Sequence, residues 1–194
     1  MSLNIVLLGP QGAGKGTQAK RISDEYGIPQ VATGDMFRAA IAAETELGRA
    51  VKPFVESGQL VPDELTVALI RARLDEPDTG EGFILDGFPR NAVQAEALDE
   101  MLVEIGRPIS IVFEFQLPEA IAIERILGRA VAEGRTDDQD PEAIRTRLAL
   151  YREKTEPLAE YYRLAGILVG IHAERSVNEV FSEIQEALEQ VAVR

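Results

Sequence analysis

Gly9-Pro10-Gln11-Gly12-Ala13-Gly14-Lys15-Gly16-Thr17 follows an apolar, strand-like run at residues 3–8 and opens into a helix-like segment at residues 17–26. A glycine-rich loop in that setting cradles phosphate. Its glycines let backbone N–H groups turn inward around phosphate oxygens, the helix behind it offers a positive N-terminus, and the lysine supplies a mobile ammonium for the outer phosphates of a nucleoside triphosphate. Gly9 and Gly14 stand five apart and Lys15 follows, which satisfies G-x-x-x-x-G-K. The general motif then carries a hydroxyl, but here Gly16 follows and the hydroxyl arrives one residue late, at Thr17. Such a loop is expected to leave Mg²⁺ mainly to nucleotide phosphates and to waters, which that ion gives up reluctantly, with Thr17 nearby. Two other readings compete. A ligand-free turn does not require four glycines and a lysine in this frame, and a dinucleotide fingerprint fails because Gly12, Gly14 and Gly16 alternate instead of following G-x-G-x-x-G.

The surrounding chain has 194 residues, 45% of them hydrophobic, enough for one substantial core with insertions. It contains no apolar run near the ~20 residues of a membrane span, and residues 1–8 lack the basic start and cleavage site of a signal peptide, so the expected location is the cytoplasm. With no cysteine there are no disulfides and no thiolate-bound zinc, and the single histidine, His172, leaves little nitrogen for a transition metal. The net charge of −13 argues against nucleic acid or an anionic membrane as partner. Yet sixteen of the twenty basic residues are arginine. A planar fork grips phosphate oxygens two at a time, so arginines gathered in one cleft would suit a phosphorylated ligand. Arg71, Arg73, Arg152 and Arg163 read instead as pairs on solvated helix faces.

Strand-like runs recur at residues 3–8, around Val31, and at 83–85, 109–115 and 167–171, separated by segments of helical periodicity. Several are apolar without alternation, as strands buried on both faces are. The pattern predicts an α/β fold: a parallel sheet with helices on both faces, right-handed crossovers, and the ligand at the strands' C-terminal ends. Between Thr33 and Glu81 the sequence reads as three helices, at 34–43, 47–57 and 62–74, an insertion large enough for a helical flap. Residues 130–140 read as a short exposed loop, and a single long helix is expected over 141–165. Loops over a phosphate site are candidates for lids.

Asp86 ends the run Gly82-Phe83-Ile84-Leu85 and precedes Gly87-Phe88-Pro89-Arg90. A carboxylate at the tip of a buried strand beside a phosphate loop can orient the waters of Mg²⁺, and Arg90 lies where a guanidinium could bridge two phosphates. Taken in order, Gly14-Lys15-Gly16-Thr17-Gln18, Ala32-Thr33-Gly34-Asp35-Met36-Phe37-Arg38, Gly58-Gln59-Leu60-Val61-Pro62-Asp63, Asp86-Gly87-Phe88-Pro89-Arg90 with Gln94, Arg125-Ile126-Leu127-Gly128-Arg129, Gly134-Arg135-Thr136-Asp137-Asp138 and Arg147 resemble the motifs of the nucleoside monophosphate kinases, most nearly the adenylate kinases. The resemblance spans nearly the whole chain.

It implies reversible Mg²⁺-dependent transfer between ATP and AMP to give two ADP, by a monomeric P-loop enzyme without zinc. It also implies a core (1–32, 81–129 and 139–194), a helical monophosphate-binding insertion (33–80) and a short lid (130–138). ATP would lie on Gly12, Ala13, Gly14, Lys15, Gly16, Thr17, Arg125, Arg129 and Arg135. AMP would meet Thr33, Arg38, Gln59, Val61, Gly87, Arg90, Gln94, Arg135 and Arg147. Lys15, Arg90, Arg125, Arg135 and Arg147 would carry catalysis, and Asp137 and Asp138 would either lock the lid through arginines or form a solvated turn. Gln11 stands where most of the family has proline and is expected to point outward; His172 is expected to be a solvent-facing loop residue. The alternatives are a UMP/CMP kinase of the same family and a noncatalytic nucleotide-sensing module. A hydrolytic ATPase would need a water-activating group for which the sequence offers no candidate.

Overall fold

A computed structural model of the chain describes residues 2–132 and 138–192. Strands β1 (Leu3–Leu8), β2 (Gln30–Ala32), β3 (Gly82–Asp86), β4 (Ile111–Gln116) and β5 (Leu168–His172) form one parallel sheet in the order β2-β3-β1-β4-β5. Successive side chains of a strand point to opposite faces, and here both faces are covered. Ile5, Leu7, Ile84 and Phe113 join a core on one side with residues of helices α1 (Lys15–Tyr26) and α9 (Val177–Ala192). Val6, Leu8, Phe83, Leu85 and Val112 join a core on the other side with α4 (Asp63–Leu74), α5 (Ala92–Glu104) and α8 (Leu158–Leu164). The continuous apolar runs have this cause, and it leaves only the strand ends for polar chemistry.

Helices α2 (Thr33–Ala42) and α3 (Glu46–Ser57) and the first half of α4 fill the interval between β2 and β3. They have a small core of their own, Phe37, Val51 and Val61 with Ile41, Leu47, Phe54, Leu65 and Leu69 around it. Helix α4 belongs to both units, because Ile70 and Leu74 enter the main core. Helices α6 (Glu119–Ala132) and α7 (Pro141–Leu150) share a third cluster, Ala122, Ile126, Ile144 and Leu148.

Several boundaries differ from expectation. Helix α1 starts at Lys15, not residue 17, because Gly14 caps it with φ 83°. Strand β4 starts at Ile111, not 109, because the Asn4 side-chain amide donates to the carbonyls of Arg107 and Pro108 (3.2 and 2.9 Å), so a side chain fastens that segment ahead of the ladder. The single helix expected over 141–165 is broken. After α7, residues Tyr151–Thr155 form a π-helical turn, with Glu156 N–H donating to Tyr151 O (2.8 Å), and Pro157 precedes α8. Proline has no N–H to continue the ladder, and the widened turn presents Thr155, whose hydroxyl donates to Arg90 O (2.7 Å). Helix α6 reaches Ala132, three residues into the stretch expected to be a lid.

The crossing of α2 and α3 depends on Gly48, where a Cβ would stand 2.0 Å from Ala40 O. Gly48→Ala is therefore expected to cost about 1–3 kcal/mol of stability through overpacking. Urea denaturation measures it, and tryptic cleavage should increase first within residues 33–62.

Candidate active site

The strand ends open into one cleft of about 960 Å³, lined from the glycine-rich loop across to Thr33, Gln59, Val61 and Gln94. The loop owes its shape to close backbone approaches. At Gly12 (φ 84°) a Cβ would lie 2.6 Å from Ala122 O on α6, so only glycine lets that helix back onto the loop. Lys15 Nζ curls over the loop and donates to Gly9 O (2.8 Å) and Pro10 O (2.9 Å). Burial lowers its pKa to about 8; Asp86 opposes that shift, and Arg90 and Arg129 add to it.

Asp86, at the tip of β3, accepts from Gln30 Nε2 (3.4 Å) and is partly buried. The backbone then turns at Gly87 (φ 81°), where a Cβ would meet Thr33 Oγ1 at 2.8 Å and Arg90 Nη2 at 3.0 Å. Thr33 is buried and its hydroxyl donates to Gly87 O (2.9 Å), as does Arg90 Nε (2.8 Å). Burial pushes the Arg90 guanidinium below its ordinary pKa, Asp86 opposes this, and the charges of Arg147 and Arg38 add to it. Three guanidiniums thus feel one another across a gap. Arg38 pairs with Asp35 on α2.

On the opposite wall Asp138 is wholly buried and accepts from three elements. Its Oδ2 receives Arg129 Nη2 (2.6 Å) and Nε (3.0 Å); its Oδ1 receives Arg147 Nη1 (2.8 Å) and Gln11 Nε2 (2.6 Å). Arg147 Nη2 continues to Val55 O near the end of α3 (2.8 Å), so one guanidinium ties the wall to the insertion. Arg125 donates to Ala173 O (2.8 Å) and holds the loop after β5 at the cleft mouth.

All the expected site residues within the described chain meet in this cleft: Gly12, Ala13, Gly14, Lys15, Gly16, Thr17, Thr33, Arg38, Gln59, Val61, Asp86, Gly87, Arg90, Gln94, Arg125, Arg129 and Arg147. Gly134, Arg135, Thr136 and Asp137 lie outside the described residues. Asp138 is an arginine lock and not a solvated turn. Gln11 does not point outward: it binds Asp138, and its Oε1 is buried without a partner. His172 is exposed as expected, but it ends β5 and its Nδ1 lies 2.9 Å from Glu183 Oε1. Arg71, Arg73, Arg152 and Arg163 are paired with Glu104, Asp78, Glu119 and Glu160. Asp63, Asn91, Gln30 and Thr155 support site residues from behind, a role that the sequence does not assign to them. Of these, Asn91 alone carried a local signal, a good N-cap three residues before Gln94.

A parallel sheet with a glycine-rich loop after its central strand, a carboxylate at the tip of the next strand and clustered arginines defines a phosphate-binding-loop nucleotide phosphotransferase. A family model described as Adenylate kinase matches residues 7–167. Similar curated proteins named Adenylate kinase include that of Mycobacteroides abscessus, 50% identical over 186 residues (96% of this chain and 99% of the relative). Those of Thermobifida fusca and Archaeoglobus fulgidus are 46% and 41% identical, covering 98% and 97% of this chain and 100% and 99% of the relatives. The chain belongs to the adenylate kinase family, whose general activity is phosphoryl transfer between ATP and AMP.

Two outcomes follow from the electrostatics. Free Lys15 titrates near pH 8, and a bound polyphosphate raises that value, so binding takes up protons and affinity falls as pH rises above about 8. Calorimetry of ATP binding at pH 8 in buffers of different ionisation enthalpy should report uptake of about half a proton, absent in Lys15→Met. Asp138→Asn, which strips the charge from the partner of two partly buried guanidiniums, should cost about 2–3 kcal/mol, less than a fully buried pair because both arginines keep some solvent. Chemical denaturation checks it.

Proposed function

We propose that this cleft aligns ATP and AMP for direct, reversible phosphoryl transfer. The observation that carries the reading is the gathering of Lys15, Arg38, Arg90, Arg129 and Arg147 around one gap in a protein of net charge −13. An AMP phosphate oxygen attacks the γ-phosphorus, the bond to the β–γ bridging oxygen breaks, and two ADP result. Nucleophile and leaving group are both phosphate oxygens, so no covalent protein nucleophile is required; catalysis comes from alignment and from charge fixed around the moving phosphoryl group.

Lys15 and the loop N–H groups from Gly12 to Thr17 hold the outer phosphates of ATP, with Arg125 and Arg129 on the donor side. Arg38, Arg90 and Arg147 hold the AMP phosphate, while Thr33, the backbone near Gln59 and Val61, and Gln94 surround its base. Arg135 joins both sets. Asp86 and the Thr17 hydroxyl are hard oxygen donors suited to the waters of Mg²⁺, and among the described residues no group of three or more His, Cys, Asp or Glu could itself hold a metal. Mg²⁺, when bound with ATP, supplies charge neutralisation of the phosphates.

The separate core of α2, α3 and the start of α4 supports treating residues 33–80 as a moving unit on a core of 1–32, 81–129 and 139–194, with 130–138 as a short lid. No described helix is long and apolar enough to cross a membrane; the resemblance supports action as a monomer, and the cytoplasm is the location expected from the sequence.

A coupled assay with AMP, UMP, CMP and GMP tests the reading, and AMP should be strongly preferred. Equal turnover of UMP would transfer the chain to the pyrimidine branch; nucleotide binding without turnover would make it a sensing module. Lys15→Met and Arg90→Ala, each losing a fixed cation, should lower kcat ~10²- to 10³-fold with circular dichroism unchanged.

A further inference from the structure

Gln94 is 1% exposed and lines the cleft, but its two amide atoms are already engaged from behind by groups of opposite polarity. Its Nε2 donates to Asp63 Oδ1 at 2.7 Å, and its Oε1 accepts the backbone N–H of Arg90 at 2.8 Å. An ionised carboxylate can only accept and a backbone N–H can only donate. Turning the amide over would set oxygen against carboxylate and N–H₂ against N–H, losing two buried hydrogen bonds, each worth roughly tenfold or more in population. Asn91 secures the arrangement. Its Oδ1 accepts the Gln94 N–H at 2.9 Å, capping α5, and its Nδ2 donates to the same Asp63 Oδ1 at 2.9 Å.

We propose that Asp63, held by Asn91, is a positioning residue that fixes which way round the Gln94 amide faces, and so makes the acceptor pocket select a 6-amino purine over a 6-oxo purine. The inference rests on the reading of the cleft as an AMP-accepting site. With one N–H and one lone pair committed, Gln94 keeps one N–H and one lone pair in fixed order. Adenine offers an acceptor at N1 beside a donor at its 6-amino group. Hypoxanthine offers the reverse, a donor at N1 beside an acceptor at O6. A base held by its phosphate at Arg38 and Arg90 cannot exchange those edges, so the inverted pair meets two mismatches instead of two hydrogen bonds. An amide free to turn over would serve both bases.

The test is acceptor selectivity, kcat/KM for AMP over kcat/KM for IMP at saturating MgATP, in the wild type and in Asp63→Asn and Asn91→Ser. An amide at position 63 can face Gln94 with either atom, so Asp63→Asn should lower the ratio about tenfold, with IMP turnover rising in absolute terms, which destabilisation alone would not produce. Asn91→Ser keeps a helix cap and removes the arm to Asp63; a smaller fall, about threefold, carried by KM for AMP, is expected, and it serves even if the first variant folds poorly. A wild type that favours AMP over IMP, with both variants keeping its ratio, overturns the inference and leaves the AMP reading standing. A wild type that takes UMP or CMP in preference to AMP overturns the AMP reading and this inference with it.

Discussion

Like charges crowded at the mouth of a dry sheet are the constraint around which this molecule is arranged. Lys15, Arg38, Arg90, Arg129 and Arg147 line one cleft, and the repulsion is felt: burial and neighbouring cations hold both Lys15 and Arg90 below their ordinary pKa values. A protein tolerates such crowding only if each cation has an acceptor in the absence of ligand. The acceptors differ in kind. Lys15 and Arg90 rest on neutral carbonyls, of Gly9, Pro10 and Gly87, whereas Arg129 and Arg147 share the carboxylate of Asp138.

That difference separates the cations by what a phosphate must displace. A carbonyl is a weaker partner for a cation than an anionic oxygen, so on the proposed reading Lys15 and Arg90 would gain by exchanging backbone for phosphate. Arg129 and Arg147 already have a formal charge opposite them, and their second task is mechanical. Through Asp138 they join α6 and α7 to Gln11 on the phosphate loop, and through Val55 O to the end of α3. On the proposed reading, a phosphate drawing on either guanidinium would pull on the loop and the insertion together.

The sheet was legible because a strand covered on both faces has no polar alternation, and Ile5 with Val6, or Ile84 with Leu85, carry that signal unaided. The phosphate loop was legible because its chemistry is local. Gln11 and Asp138 were harder: the residues are 127 apart, and nothing in either neighbourhood reports that α6 lies on the loop at Gly12. The break in the helix after Leu150 was only half legible: Pro157 is a breaker that the sequence shows, but the π-turn ahead of it is not. Tyr151-Arg152-Glu153-Lys154-Thr155 has ordinary helical composition, and the π-turn is settled by tertiary bonds such as that from Thr155 to Arg90 O. Asp63 reads locally as an acidic residue in the first turn of α4, and only the fold sets it against Gln94.

On the proposed reading, phosphate recognition and base recognition are consequently built in different ways. The phosphate end uses long cationic side chains that accept many geometries, and attraction between charges falls off slowly enough to tolerate movement. Charge carries no information about which base is attached. That information needs donors and acceptors in fixed order, and an amide holds a fixed order only when its surroundings make the flipped state costly. At Gln94 burial supplies the cost, because water cannot replace a lost partner, and Asp63 and the Arg90 N–H supply the polarity. The Arg90 backbone thus orients the Gln94 amide while its side chain lies in the gap between the arginines, and on the proposed reading the turn at Gly87 that lets Arg90 fold back would join affinity to selectivity.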